Sequence, residues 1–105
     1  MAQADGVHNN PDKNRFELEV DGETAFTVYQ QQGDTLIFVH TEVPLDERGQ
    51  GVGDALIKGT LQQVREAGQK VIPLCPFVNA YIRRHPEEQD LLTDQTGAAR
   101  GPSQP

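Results

Sequence analysis

Polar and apolar residues alternate through the first half of the chain in the way that half-buried β-strands require. The segment Arg15–Val20 alternates strictly, so its apolar side chains share one face. The Asp-Gly pair that follows favours a tight hairpin turn because both residue types accept positive φ, and residues 24–29 are predicted as the returning strand. A second turn at residues 32–34 precedes 35–43, a run rich in β-branched and aromatic residues. The pattern predicts three antiparallel strands.

In the second half of the chain the spacing of apolar residues changes to that of a helix. Over residues 51–67 apolar side chains recur three and four positions apart, which predicts an amphipathic helix whose sheet-facing side comprises Leu56, Ile57, Thr60, Leu61, Val64 and Ala67. Gly68 suits the helix end, and residues 71–74 are predicted as a short parallel strand because a crossover helix precedes them. A second, shorter helix is predicted over residues 78–84, ending before His85-Pro86, since a residue that precedes proline disfavours helical geometry.

These elements define one mixed α+β domain. The segment 1–13 shows neither period and is predicted to be a flexible lead. The folded domain is expected over 14–92, and the composition of 93–105 predicts a disordered tail. A chain of 105 residues has room for a single modest core.

Composition and charge narrow the class of protein. No apolar run approaches a membrane span, and the first residues lack the features of a signal peptide, so a cytoplasmic protein without membrane contact is expected. The net charge of -7 disfavours nucleic acid, and a single cysteine excludes an internal disulfide and a cysteine-based metal cluster, so no metal is expected. Between residues 48 and 84, however, six basic residues stand against two acidic ones, which favours a small anionic ligand there.

Three glycines, at positions 49, 51 and 53, lie between the third strand and the long helix. A helix N-terminus presents unpaired amide N–H groups and the positive end of its dipole, and glycine lets a diphosphate approach those amides closely. The spacing lacks the Gly-Lys-Ser/Thr of a Walker loop and the Gly-x-Gly-x-x-Gly order of a dinucleotide fold. The turn therefore favours a diphosphate group over a nucleotide triphosphate; the alternative is that the glycines only permit a tight loop.

The turn and its flanks carry a family resemblance. Arg48-x-x-Gly51-x-Gly53 matches the Gln/Arg-x-x-Gly-x-Gly/Ala signature of the GNAT acyltransferase superfamily, in which this turn holds the pyrophosphate of acyl-CoA. With the flanking stretches 40–44, 71–75 and 81–86, the chain resembles the minimal, short-form GNAT-like acetyltransferases over about residues 16–92. The resemblance implies a truncated GNAT-like fold in which the third strand and the later parallel strand splay apart. Pro73 fits such a break because proline cannot donate a ladder hydrogen bond.

The resemblance also implies acetyl-CoA as cosubstrate, with its pantetheine arm in the gap between the splayed strands. Backbone groups of Thr41, Glu42 and Val43 would bind the pantetheine. The diphosphate would be held at the turn and the helix start, by Arg48, Gly49, Gln50, Gly51, Val52, Gly53 and Asp54. Arg83 and Arg84 could meet the 3′-phosphate of CoA or an acidic partner, or complement the dipole of the second helix.

Three side chains are candidates for the chemistry of acetyl transfer. Cys75 follows the short strand and would contact the ligand, where a thiol could accept an acyl group, donate a proton or simply pack. His40 shares a strand face with Glu42, so either could act as general base or the two could form a polar pair. Tyr81 lies in the second helix, where many superfamily members carry the tyrosine that protonates the CoA thiolate, but it could equally anchor the helix.

The acceptor site has no counterpart in this sequence. Full-length superfamily members build it from helices and strands that are missing here, since an Asp-Gly turn joins the first two strands directly. Three functions stay open: an acetyl-CoA-dependent N-acetyltransferase with an unknown amine or protein acceptor, a noncatalytic CoA-binding module, and a small protein-interaction domain.

Overall fold

The computed structural model describes residues 6–44 and 51–93, in which five strands form one mixed sheet. The strands are β1 (His8–Asn10), β2 (Arg15–Val20), β3 (Glu23–Gln32), β4 (Thr35–Glu42) and β5 (Lys70–Pro73), and they lie side by side in chain order. Pairing is antiparallel from β1 to β4 and parallel between β4 and β5. The predicted α+β class, with three antiparallel strands followed by a parallel one, is confirmed, and β1 adds a fifth strand.

β1 lies within residues 1–13, which the sequence predicts to be a flexible lead, so that prediction is corrected for His8–Asn10. Three polar residues carry no alternation from which a strand could be predicted, yet their backbone pairs with β2. The Glu17 carboxylate on β2 holds them from the side, because His8 Nε2 and Asn10 Nδ2 donate to it at 3.1 and 3.2 Å. Val7, immediately before β1, is buried in the core.

The predicted hairpin turn between β2 and β3 is confirmed, with Asp21 at φ 54° and Gly22 at φ 80°. Gly33, at φ 59°, makes the next turn. These short turns keep β2, β3 and β4 in register, so that Phe16, Leu18, Ala25, Tyr29, Leu36 and Phe38 bury their side chains on one face of the sheet.

Two helices and a 3₁₀ helix complete the described fold. α1 (Val52–Glu66) packs on β2, β3 and β5, and buries Leu56, Ile57, Thr60, Leu61 and Val64 as the sequence pattern predicted. Ala67, expected on the same face, is exposed because the helix ends before it and Gly68 takes a φ of 72°. α2 (Pro76–Arg84) begins two residues before its predicted start, with Pro76 at the first helical position, where a missing N–H costs nothing. None of the described helices is long and apolar enough to cross a membrane.

The 3₁₀ helix Pro86–Leu91 was not predicted from the sequence. Hydrogen bonds from Arg65 hold it against α1. Arg65 donates from Nη1 to Asp90 Oδ2 at 2.7 Å and from Nη2 to Glu88 Oε1 at 2.9 Å. The Thr93 amide then donates to the Val71 carbonyl on β5 at 3.3 Å. The remainder of the predicted tail, 94–105, lies outside the described residues.

Candidate functional site

A β-bulge reorients the second half of β4. Val28 pairs with His40 whereas Tyr29 pairs with Phe38, so Val39 has no opposite residue. Before the bulge Phe38 faces the core; after it Thr41 takes that face, and its hydroxyl lies 2.9 Å from that of the fully buried Thr27. The bulge thereby directs the side chain of Thr41 toward the helices.

β4 and β5 separate just where the bulge occurs. Their parallel pairing ends at Phe38 and Pro73, and the Cys75 amide donates one last hydrogen bond to the Phe38 carbonyl at 2.8 Å. Pro73, the last residue of β5, has no N–H with which to extend the ladder. The chain then turns into α2, so within the described ranges the end of β4 has no strand partner on the β5 side. The break predicted at Pro73 is confirmed.

A cavity of about 470 Å³ opens between the unpaired end of β4 and the starts of the two helices. Gly51, at φ 78°, is the N-cap of α1, and its carbonyl accepts the first helical hydrogen bond, from the Ala55 amide at 2.9 Å. The amides of Val52, Gly53 and Asp54 therefore have no intrahelical acceptor, and no side chain among the described residues caps them. The cavity is lined by Thr41, Val43, Gly51, Val52, Gly53, Asp54 and Phe77. Of the residues predicted at the glycine turn, Arg48, Gly49 and Gln50 lie outside the described residues.

Phe77, which the sequence pattern did not single out, forms one wall of this cavity. A Cβ on Gly53 would overlap the Phe77 ring, two of whose carbons would lie 3.2 Å from it. Gly53 therefore also lets α1 and α2 approach each other. The signal in the sequence was weak: an aromatic residue directly after the proline that begins α2.

Cys75 lies behind the cavity wall. Its side chain is buried, and its sulfur lies 3.2 Å from the Thr41 hydroxyl oxygen. The two threonines and the cysteine thus form a hydrogen-bonded series across β3, β4 and the start of α2. Among the three catalytic candidates, Cys75 is the one bonded to a residue that lines this cavity.

The other two candidates point elsewhere. His40 and Glu42 do share a strand face as predicted, and their side chains meet at 2.8 Å, but both are more than half exposed on the sheet face opposite the helices. Tyr81 is buried in α2 and lies flat against the imidazole of His85, with ring centroids 3.9 Å apart. Burial, together with the carboxylates of Glu88 and Asp54, raises the pKa of Tyr81. Its phenol is therefore protonated at neutral pH.

Tyr81 lines a second cavity of about 360 Å³ that adjoins the first through Asp54. Its lining consists of Asp54, Ala55, Lys58, Tyr81, His85, Glu87 and Glu88. Arg84 Nη2 donates to Asp54 Oδ1 at 3.3 Å. Arg83, which was predicted with Arg84 as a possible ligand contact, is exposed, and its side chain forms no hydrogen bond or ion pair with another described residue.

A strand whose parallel neighbour separates from it, beside a glycine-containing helix start at one cavity, is the arrangement that the resemblance to the GNAT superfamily implied. A family model for the GCN5-related N-acetyl-transferases matches residues 15–91, and the chain belongs to this family. It is 28% identical over 88 residues to Protein NATD1 of mouse and of chicken, an alignment that covers 81% of this chain and 80% of each relative. The solution structure of a GCN5-like protein from Staphylococcus aureus, named as a candidate N-acetyltransferase, superposes with a TM-score of 0.61 at 23% identity, over 83% of this chain and 86% of that one. This last similarity concerns the fold alone.

Proposed function

We propose that the protein is an acetyl-CoA-dependent N-acetyltransferase that holds acetyl-CoA in the first cavity. The observation that carries the proposal is that three amides without helical acceptors, at the start of α1, open into a cavity whose opposite wall is the unpaired end of β4. Free amides and a helix dipole favour an anion, and an unpaired strand edge favours a ligand with amide groups of its own. Acetyl-CoA has both, a diphosphate and the two amides of its pantetheine arm.

In this proposal the diphosphate accepts hydrogen bonds from the amides of Val52, Gly53 and Asp54, beside the bare α-carbon of Gly51. The pantetheine lies along residues 41–43, at the end of β4 and just beyond it. The family resemblance extends the diphosphate contacts to residues 48–50. The ligand has room because an added Cβ at Gly51 would meet no atom within 4 Å.

The chemistry is attack of a neutral amine nitrogen on the thioester carbonyl carbon, with formation of a C–N bond and departure of the CoA thiolate, which takes up a proton. Cys75 is our candidate for the donor of that proton, or for a transient acceptor of the acetyl group, because its thiol is bonded to Thr41 at the cavity wall. The His40–Glu42 pair is the candidate base for an acceptor that arrives from the open face of the sheet. Tyr81 stays a candidate proton donor because its phenol is protonated.

A second function, a noncatalytic CoA-binding module, is favoured by one specific observation. His40, Glu42 and Tyr81 do not line the first cavity, so a bound thioester would have no predicted base in direct contact.

Titration with acetyl-CoA, followed by amide chemical shifts, tests the site that both functions share. We expect the resonances of residues 51–54 and 41–43 to move, while those of the β2–β3 turn stay still. If residues 51–54 did not respond at millimolar ligand, both functions would be refuted.

Turnover separates the two functions. Release of the CoA thiol in the presence of a panel of amines and peptides, together with intact-mass detection of acetylated product or acetylated Cys75, would support the enzyme. Tight binding of acetyl-CoA with no acetyl transfer to any amine, peptide or Cys75 would support the binding module.

A further inference from the structure

The sheet face opposite the helices, here called the outer face, carries a strip of apolar side chains across β3, β4 and β5. Pairing of Ile37 with Ile72 continues the strip from β4 to β5, and both side chains are partly exposed. Val39 in the bulge and Leu74 directly after β5 are 36% and 67% exposed. A contiguous exposed apolar surface is typical of a site that another molecule covers. The strip comprises Phe26, Val28, Ile37, Val39, Ile72 and Leu74.

The apolar strip borders the place where β4 and β5 separate. Val39 and Leu74 directly follow the last pair of residues that joins the two strands. Past that pair, successive residues of β4 face opposite sides of the sheet: Thr41 lines the first cavity, whereas His40 and Glu42 meet at 2.8 Å on the outer face. An acetyl group held in the first cavity and a molecule bound to the outer face would therefore meet at the end of β4.

The charges around the strip favour a basic partner. Arg15 on β2 is already neutralised by Glu17, at 2.6 Å. Two exposed carboxylates remain near the end of β4: Glu42, and Glu19, which has no ion pair in the described ranges. Lys70, at the start of β5, lies at the far end of the strip. Because the chain carries a net charge of -7, a second copy would be repelled, whereas a cationic partner would be attracted.

The shape of the outer face fits an extended peptide better than a small amine. Small ligands bind in concave sites, and the linings of both cavities leave out the whole strip. In an extended peptide alternate side chains point to the same side, so they would reach successive rows of a sheet face. Lysine is the side chain that brings a primary amine. A peptide in which lysine stands between apolar residues therefore matches both the apolar strip and the carboxylates beside it.

We propose that the outer face binds the acceptor, and that the acceptor is an extended segment of another protein with a lysine between apolar residues. This inference rests on the proposed function, since it needs an acetyl group in the first cavity. The lysine ammonium group lies at His40 and Glu42, and its apolar neighbours pack on the strip. One ammonium proton passes to His40, the amine forms the C–N bond as the C–S bond breaks, and a second proton ends on the CoA thiolate.

Acetylation of matched synthetic peptides tests the proposed acceptor. Each peptide has one lysine, with leucine or serine at the positions two before and two after it. We expect kcat/KM to be about tenfold higher for the leucine peptide, mainly through KM, because its side chains bury apolar area on the strip. Glutamates beside the lysine of the leucine peptide should lower kcat/KM. Amide shifts of residues 26–28 and 37–40 should move when the leucine peptide is added.

Leu74→Ser makes the result specific to the strip. It should raise KM for the leucine peptide about threefold to fivefold, and leave KM for the serine peptide and the Kd for acetyl-CoA unchanged. Since Leu74 is 67% exposed, the variant should remain folded. Ala67→Ser is the matched control, because it also makes an exposed apolar residue polar but lies after α1, away from the outer face.

The outcomes separate this inference from the proposed function. If acetyl-CoA moved residues 51–54 but both peptides reacted equally, if n-butylamine were preferred to either, or if no peptide were acetylated, the docking surface would be refuted while the acetyl-CoA site survived. Shifts of the strip that change with protein concentration in the absence of peptide would assign it to a second copy and also refute the inference. If residues 51–54 did not respond to acetyl-CoA, the proposed function would fail, and this inference with it.

Discussion

The hydroxyl oxygen of Thr41 lies 3.2 Å from the sulfur of Cys75 and 2.9 Å from the hydroxyl of Thr27, so that one side chain joins two strands to the start of α2. Thr27 is fully buried, and Thr41 supplies its side-chain hydrogen bond. The link exists because the bulge at Val39 turns Thr41 inward. It couples the geometry of the cavity wall to the stability of the sheet.

Thr41→Val should therefore destabilise the protein although it preserves shape. It leaves the Thr27 hydroxyl buried without a partner, which costs about 1–2 kcal/mol of the free energy of unfolding. Thr41→Ser keeps the hydroxyl and should lose much less. Urea unfolding measures both, and equal stability of the Val and Ser variants would show that the hydrogen bond contributes nothing.

Cys75→Ala tests whether the thiol takes part in acetyl transfer. If it donates the proton or accepts the acetyl group, kcat should fall about tenfold or more, because proton transfer by a positioned group contributes at least that much. The Kd for acetyl-CoA should stay within about twofold, since we expect the thiol to act after binding. Full kcat in the Ala variant would leave Cys75 as a packing residue, and intact-mass spectra of the wild-type protein during turnover would then contain no acetylated Cys75.

Glu17 makes stability depend on pH. The hydrogen bond that Arg15 Nε donates to its carboxylate at 2.6 Å lowers the pKa of Glu17 below the ordinary 4.5, and Asn10 and His8 add to the effect. Because the pKa is lower in the folded state, the stabilisation is present above the unfolded-state pKa and is lost as the pH falls through the folded-state value. We expect the free energy of unfolding of the wild-type protein to decrease steeply below about pH 4.5.

Glu17→Gln should be less stable at pH 7 by about 1–2 kcal/mol, since it loses charge-assisted hydrogen bonds, and its stability should vary less over that acidic range. Glu19→Gln is the matched control, because Glu19 lies on the same face of β2 but is exposed and has no ion pair among the described residues. Parallel pH profiles for the wild-type protein and Glu17→Gln would contradict the assignment.

Local periodicity predicted most helices and strands of this fold but not the β-bulge in β4 that shapes the site. Strict alternation from Leu36 and Phe38 would bring His40 and Glu42 to the core side, whereas the bulge at Val39 exposes both. A bulge is decided by cross-strand register, which a single strand's sequence does not contain. For the same reason β1 escaped prediction, since its three polar residues are held by their partner β2 rather than by a pattern of their own.

The features of the site that depend on the backbone preferences of glycine and proline could be predicted from the sequence. The sequence predicted the break of the strand pairing at Pro73 and a helix start at Gly51, whereas the left-handed N-cap conformation of Gly51 is known from the structure alone. Side-chain neighbours were not predictable, because the contact of Phe77 with Gly53 and that of Arg84 with Asp54 depend on how α2 packs against α1.

Gly51→Ala separates the conformational role of this residue from its role in binding, with Gly33→Ala as its matched control. Both glycines have positive φ, 78° and 59°, and at both an added Cβ would meet no atom within 4 Å, so each substitution should cost a similar 1–2 kcal/mol or so of backbone strain. Gly51 lines the first cavity at the start of α1, whereas Gly33 lies in the turn between β3 and β4. We therefore expect Gly51→Ala to weaken acetyl-CoA binding about tenfold, or about 1.4 kcal/mol, and Gly33→Ala to leave it unchanged. Calorimetry gives the affinities and urea unfolding the stabilities; equal losses of affinity in the two variants would mean that strain, and not a ligand beside Gly51, explains the effect.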